Sequence, residues 1–141
     1  MTCQAIGQCI RCYALGERKV SSIKRSKLGF ELHSGDVLAK QPLLYLIEVV
    51  DKATGEIEVV YVGKSNRGSS RPFTAYDNNI RRIIAGDPPR NGKEFRPIHR
   101  QLFDAYQAGY SVCIRLVKNV PADTILIEER RLQNHYGLSC D

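Results

Sequence analysis

The sequence predicts a small domain of the α/β class, more closely α+β, in which a three-stranded sheet is flanked by helices. Two β-rich runs at 43–50 and 56–63 enclose a polar segment with Thr54 and Gly55 near its centre, which indicates a β-hairpin. Later segments carry apolar residues at helical spacing, and the run at 111–117 alternates in the manner of a strand. Together these patterns predict the element order ββααβα.

Composition predicts one domain with an appendage. The 141 residues are 43% hydrophobic, which suits a single packed core. We expect residues 1–41 to form a basic, cysteine-containing N-terminal extension and residues 42–141 to form the domain. Because 21 Lys and Arg outnumber 15 Asp and Glu, the net charge of +6 favours a polyanionic partner such as nucleic acid.

We expect a cytoplasmic protein that does not contact a membrane. No apolar run is long enough to span a bilayer, and charged residues interrupt the first twenty positions, where a signal-peptide core would lie. Five cysteines are an odd number for a disulfide framework, so we expect reduced thiols.

The extension predicts little structure. Residues 3–16 suggest a short helix, and residues 28–38 suggest a loop or a short strand. Three cysteines, Cys3, Cys9 and Cys12, include a Cys-x-x-Cys pair. A structural zinc site needs four ligands, and the candidates for the fourth stand at no standard spacing: His33, Cys113 and Cys140. Buried thiols are therefore favoured, with zinc as the alternative.

The run at 18–27 is basic. Such a run is usually a solvated face, but next to a nucleic-acid site it would hold phosphates.

The predicted hairpin carries one tyrosine on each strand. Alternation of strand side chains puts Tyr45 with Ile47 and Val49 on one face, and Tyr61 with Val59 and Gly63 on one face. If the two faces coincide, two phenols meet beside a basic turn. Such a pocket suits a phosphodiester.

Three helices are predicted after the hairpin. Ser69 or Ser70 caps the first, Pro72 lies in its first turn, and it runs to about Ala85. A loop rich in Gly and Pro follows. The second runs from about Pro97 to Ala108 with an inward face, and its end is marked by Gly109. The inward residues are Ile98, Leu102, Ala105 and Tyr106. The last helix opens at 121–123, reaches about Tyr136 and is closed by Gly137.

Glu129 lies on the apolar face of the last helix. It shares that face with Ile125, Leu132 and Tyr136, whereas Glu128 lies one step round, toward the solvated side. A carboxylate in a core-facing position needs a partner that offsets its desolvation. Either a nearby arginine forms an ion pair with Glu129, or the carboxylate binds a divalent metal. One carboxylate with water and substrate phosphate is the usual Mg²⁺ arrangement.

These residues together resemble the GIY-YIG nuclease superfamily. The resemblance covers residues 42–137 and is most specific where Tyr61-Val62-Gly63-Lys64 ends a strand and Arg71 follows eight residues after the glycine. Tyr45 in the first strand and the Glu-x-x-Leu-x-x-x-Tyr-Gly ending that begins at Glu129 support it. The first motif departs from the family, because Leu43-Leu44 stands before Tyr45 in place of glycine and isoleucine.

The resemblance implies a role for each matching residue. Tyr45 would lie beside the attacking water as general base, and Tyr61 would orient the water or the scissile phosphate. Lys64 would favour the phenolate or hold a phosphate, and Arg71 would stabilise charge on the phosphoryl oxygens. Glu129 would bind one Mg²⁺ or Mn²⁺. Without the joint spacing, each residue has an ordinary structural role, such as a core tyrosine or a solvated lysine.

Four further residues are predicted to bind substrate. Arg67 lies in the turn after the second strand, and Arg81 lies with Arg82 on the exposed side of the first helix. Tyr76 is five residues beyond Arg71, so its reach to the site is open. His99 is expected at the surface beside phosphates, with a proton shuttle as the alternative.

The function that the sequence predicts is metal-dependent endonucleolytic hydrolysis of phosphodiester bonds in DNA. The alternative is a non-catalytic nucleic-acid-binding or protein-inhibiting module on the same scaffold. Because the chain leaves little room for a specificity domain, we expect either low intrinsic specificity or recognition through a homodimer or a protein partner.

Overall fold

The computed structural model describes residues 23–138, and these residues form one mixed sheet with helices on both of its faces. In chain order the elements are β1 (Ile23–Arg25), β2 (Glu31–His33), β3 (Leu43–Val50), β4 (Ile57–Ser65), α1 (Ser70–Ala85), α2 (Pro97–Gln107), β5 (Ser111–Asn119) and α3 (Ile125–Tyr136). The fold class is α+β.

The prediction of a three-stranded sheet is wrong, because the sheet has five strands in the order β1-β2-β5-β3-β4. The two extra strands come from residues 23–33: β1 pairs antiparallel with β2, and β2 pairs parallel with β5. Each is only three residues long, too short to show the alternation from which a strand is predicted. They join the sheet because Phe30 and Leu32, each 2% exposed, complete the core over β5.

The strands of the predicted hairpin, β3 and β4, pair antiparallel, but a bulge interrupts their register. Ile47 pairs with Tyr61 and Glu48 pairs with Val59, so that Val60 has no partner. The extra residue reverses the alternation of faces along β4. The prediction that Val59 shares the face of Tyr61 and Gly63 is therefore wrong.

Two hydrophobic clusters separate the two faces. Tyr45, Ile47 and Val49 of β3 pack with Tyr76 and Ile80 of α1 and with residues of α2. On the opposite face, Leu44 packs with Val120 and with Ile125 of α3. The sheet therefore lies between the α1–α2 pair and α3. Side chains from either face can contact a residue near the end of β4.

Asp77, on α1, anchors the β1–β2 hairpin (residues 23–33) to the domain. Its side chain accepts the Leu28 backbone N–H at 3.1 Å and the Arg81 Nε–H at 2.6 Å. Burial opposes ionisation of this carboxyl group, but hydrogen bonds from Ser26, Arg81 and Leu28 outweigh it and hold the pKa of Asp77 below its usual value. The carboxylate is 4% exposed, so these contacts hold the hairpin turn firmly on α1.

Several predictions concern residues outside the described range: the helix over 3–16, the thiols Cys3, Cys9, Cys12 and Cys140, and the first positions of the basic run. Within the range, Tyr106 is 36% exposed, so the prediction that it belongs to the inward face of α2 is wrong. No helix between residues 23 and 138 has the length and apolar character needed to cross a membrane.

Candidate active site

Three tyrosines from three elements form a cluster on the α1–α2 face of the sheet. The ring centroids of Tyr45, Tyr61 and Tyr76 are 6.2–6.4 Å apart in all three pairs. The Tyr45 and Tyr76 hydroxyls share a hydrogen bond of 2.8 Å, and their side chains are 4% and 3% exposed. Tyr76, whose reach was open from the sequence, therefore lies in direct contact with Tyr45.

Gly63 makes this cluster sterically possible. It pairs with Tyr45 in the β3–β4 register, and the tyrosine rings lie over its backbone. A Cβ atom at position 63 would lie 2.5 Å from the Tyr45 Cζ and 2.8 Å from a ring carbon of Tyr61. No larger residue fits unless the rings move, which explains the glycine two residues after Tyr61.

Burial raises the pKa of both inner tyrosines above the usual value, and the Tyr45–Tyr76 hydrogen bond offsets this only for Tyr45. Both phenols are therefore neutral near pH 7.

Tyr61 has a different environment, because it is only partly buried and contacts a cation. The Arg96 guanidinium donates a hydrogen bond to the Tyr61 hydroxyl, and its carbon lies 5.5 Å from the centre of the ring. The Tyr61 hydroxyl therefore lies beside a positive charge. Arg96 was not predicted as a site residue from the sequence; its position directly before Pro97, at the start of α2, was the available signal.

His99 is 8% exposed, and the expectation that it lies at the surface is wrong. Its Nδ1 accepts the backbone N–H of Arg96 at 3.2 Å, which closes a capping box at the start of α2. Its ring centroid is 5.7 Å from that of Tyr76. The hydrogen bond with Arg96 and the ring contact with Tyr76 hold the His99 ring beside the tyrosine cluster.

Tyr45, Tyr76, Arg96 and His99 line a cleft of about 330 Å³, and Tyr61 lies behind its wall, in contact with Arg96. Its cationic lining consists of four residues from the end of β4, the following turn, α1 and the start of α2: Lys64, Arg67, Arg71 and Arg96. Tyr45, Tyr76 and His99 complete the inner wall, and no carboxylate lines the cleft among the described residues. The cleft therefore favours a small anionic group such as a phosphate.

The turn after β4 is held in one conformation. Ser65 Oγ donates to the Gly68 carbonyl at 2.6 Å and accepts the Arg67 N–H at 3.3 Å. Gly68 has φ of +93° and packs so tightly on the Ala39 carbonyl that a side chain has no room. The turn thereby sets the positions from which Arg67 and Arg71 project; Arg71 itself is exposed.

Glu129 lies on α3, on the other side of β4, and does not line the cleft. It is 8% exposed, and the described residues contain no ion pair to it, so the arginine partner considered as an alternative is not seen. Burial raises the pKa of Glu129 from its usual 4.5, and the charges of Lys64 and Arg130 oppose that shift. Its charge also acts on Tyr45. Lys64 therefore interacts electrostatically with the Glu129 carboxylate, and its side chain also lines the cleft.

Glu128 has a different role from its neighbour. Its carboxylate forms ion pairs with Lys118 at 3.2 Å and with Arg131 at 3.0 Å, both at the surface. Glu129 instead faces β4, where Gln133, one turn later, donates to the Val62 carbonyl at 3.4 Å. Of the two carboxylates, Glu129 is therefore the one that fits a metal.

Arg81 is the one predicted substrate-binding residue that lies outside the cleft. Its guanidinium is paired with Asp77, and it lines a neighbouring groove with Arg71, Arg82 and Arg90. The cleft contains the other three, Arg67, Tyr76 and His99.

Among residues 23–138 no group of three or more His, Cys, Asp or Glu side chains is placed to hold a metal ion. Among the described residues, Glu129 is a buried carboxylate without an ion pair, and one such carboxylate suits Mg²⁺ or Mn²⁺ that retains water ligands. Compared with known proteins, the chain is matched by no protein-family model, no curated protein and no solved structure.

Proposed function

We propose that this protein is a metal-dependent endonuclease that hydrolyses phosphodiester bonds in DNA with a site of the GIY-YIG kind. One observation carries the proposal: residues from β3, β4, α1 and α2 converge on a small cleft that has four cationic side chains and an inner wall of phenols. On the other side of β4, the buried Glu129 carboxylate lacks an ion-pair partner among the described residues. A phosphate and a divalent cation are the ligands that this combination of charges suits.

The cationic wall of the cleft binds and polarises the scissile phosphate. Arg71 is exposed at the cleft rim, and its planar guanidinium suits bidentate contact with two phosphoryl oxygens. Lys64, at the end of β4, and Arg67, in the turn that Ser65 holds, add positive charge. Because charge on these oxygens develops in the transition state, donors already in place lower the barrier.

Tyr61 is a better general base than Tyr45, to which the resemblance assigned that role. The Tyr45 hydroxyl is buried and bonded to Tyr76, and burial raises its pKa, so Tyr45 stays neutral. The Arg96 guanidinium beside Tyr61 stabilises a phenolate there. The Tyr61 phenolate accepts a proton from water as the water oxygen bonds to phosphorus. The opposite P–O bond breaks, and the leaving sugar oxygen takes a proton from solvent.

Glu129 would hold the divalent metal. A bound Mg²⁺ or Mn²⁺ stabilises negative charge on phosphoryl and leaving oxygens. Glu129 suits a metal because its carboxylate is buried. Desolvation makes the ionised carboxylate unfavourable, and a bound cation would offset this desolvation free energy.

The proposal predicts cleavage of plasmid DNA by the purified chain in the presence of Mg²⁺ or Mn²⁺. We expect conversion of supercoiled plasmid to nicked or linear forms with either metal, and none in the presence of EDTA. Agarose gel analysis measures the conversion. Binding of DNA without cleavage under either metal would leave a non-catalytic binding module and refute the enzyme proposal.

A second prediction tests the assignment of Tyr61 as base. Arg96→Gln removes the charge beside the Tyr61 hydroxyl, and we expect the rise of kcat with pH to move about one unit upward, which corresponds to about 1.4 kcal/mol. The pH profile of single-turnover cleavage measures this shift. Arg96→Lys retains the charge and should restore much of the profile, although Lys lacks the planar fork of Arg. A profile that Arg96→Gln lowers at every pH without a shift would contradict the assignment.

A further inference from the structure

A basic track leads from the cleft over α1 to the β1–β2 hairpin. The groove beside the cleft, about 680 Å³ in volume, shares Arg71 and Ala75 with it. A second hollow of about 230 Å³ shares Asn78 and Arg81 with that groove and reaches the hairpin at Arg25, Ser26 and Lys27. The three cavities therefore adjoin one another in a row over α1.

Positive charge dominates this path. The groove is lined by Arg71, Arg81, Arg82 and Arg90, against one acidic side chain, Asp87. At the hairpin end, Arg25 is paired with Glu31 at 2.9 Å but remains 68% exposed, and Lys27 is exposed in the turn. A path of this charge suits a polyanion rather than a peptide of mixed charge.

The hairpin is held rigidly at the end of the path. The buried Asp77 carboxylate of α1 accepts a hydrogen bond from the Leu28 backbone N–H in the hairpin turn and another from the Arg81 side chain. The hairpin turn and the Arg81 guanidinium are therefore both held at Asp77. Arg71 and Arg81 are about 15 Å apart along the helix axis at 1.5 Å per residue. One strand of a nucleic acid places about four or five phosphates in that length at 3.4 Å per nucleotide.

We propose that the β1–β2 hairpin holds the sugar-phosphate backbone of the substrate strand several nucleotides from the scissile phosphate. This inference rests on the proposed function and assigns a role to the basic residues of the N-terminal extension. Arg25 and Lys27 contact phosphates without reading bases, and Arg71 joins this contact to the cleft. The hairpin lengthens the footprint of the domain on nucleic acid.

Lys27→Gln tests the inference, with Lys52→Gln as the matched control. Both lysines are exposed in the turn of a β-hairpin, but Lys52 lies in the β3–β4 turn, at the end of those strands opposite to Tyr45. The probe is a fluorescein-labelled duplex of about three helical turns, or about 30 base pairs. Fluorescence anisotropy in EDTA measures binding without cleavage over a series of salt concentrations.

We expect Lys27→Gln to weaken binding about fivefold to tenfold near 0.1 M salt and to reduce the slope of log K against log[salt] by about 0.9, the value for one lost phosphate contact. Lys52→Gln should leave both quantities at the wild-type value. Equal effects of the two substitutions, or no effect of Lys27→Gln, would overturn the inference.

Failure of the proposed function is a separate outcome. A wild-type protein that binds the duplex but cuts nothing would refute the nuclease, while a selective effect of Lys27→Gln would still support the hairpin contact. With a protein that cuts, Lys27→Gln should raise KM and leave kcat unchanged, because Lys27 is remote from the reacting atoms.

Discussion

Glu129→Gln is expected to abolish metal-dependent cleavage and, in the same protein, to raise the melting temperature measured without metal. The amide has nearly the shape of the carboxylate but does not bind Mg²⁺ as a charged ligand, so we expect a loss of kcat of about 10³-fold or more. Burial of the charged carboxylate destabilises the metal-free fold, and its removal should raise the melting temperature by a few degrees, the shift for about 1 kcal/mol. Plasmid cleavage and thermal denaturation measure the two effects.

The stability effect of Glu129 should depend on pH with a known sign. Its pKa in the folded state is raised above 4.5, so the ionised group opposes folding. The advantage of Glu129→Gln should therefore be absent at low pH, where the wild-type carboxyl group is protonated, and should develop as pH rises through the raised pKa. Added Mg²⁺ should stabilise the wild type and have little effect on the variant.

Glu128→Gln is the matched control, because it changes the next residue on the same helix. Glu128 is paired with Lys118 and Arg131 at the surface, so its loss should cost about 0–1 kcal/mol and leave cleavage intact. An inactive Glu128→Gln protein beside an active Glu129→Gln protein would reverse the assignment of the metal ligand.

Arg71→Ala should lower kcat by about 10²- to 10³-fold, the effect of removing one preorganised donor from a developing oxyanion. The side chain lines the cleft and is exposed, and it forms no ion pair among the described residues. Its removal should therefore change the free energy of unfolding by less than about 0.5 kcal/mol. Single-turnover cleavage and chemical denaturation separate the two effects.

The control for this loss is Arg131→Ala, which removes an exposed arginine from α3 and leaves the cleft unchanged. It lowers the net charge by the same amount, so any general loss of nucleic-acid affinity appears in both variants. Arg71→Lys should recover only part of the rate, because a lysine does not make bidentate contact. Full activity of Arg71→Ala would remove the residue from the proposed mechanism.

The elements with strong local patterns were predictable from the sequence. The apolar spacing of α1 and its Gly86 end place that helix at Ser70–Ala85, and β3 occupies the predicted 43–50. The inward position of Glu129 also follows from local spacing, since Ile125 on the same face is 3% exposed, but the prediction that Tyr136 shares this buried face is wrong, because Tyr136 is 40% exposed. Helical periodicity is carried by a few neighbouring residues and needs no knowledge of the partner element.

Errors arose where long-range contacts decide the outcome. The strands β1 and β2 exist because β5 offers an edge and the core needs Phe30 and Leu32, and three-residue segments show no period of their own. The bulge at Val60 reversed the predicted face of Val59, since register depends on both strands. His99 was expected at the surface because no local pattern shows that its ring caps the helix at Arg96.

From the order of residues alone we could infer a basic α+β chain, most of its helices and strands, and the residue types of the proposed phosphate-binding site. The three-dimensional arrangement was needed to show that Tyr76 bonds to Tyr45, that Arg96 reaches Tyr61, and that Glu129 lies behind Lys64 outside the cleft. Periodicity reports which side of an element is buried. Distances between elements depend on how they pack, because residues far apart in the chain meet only when the sheet and helices have assembled.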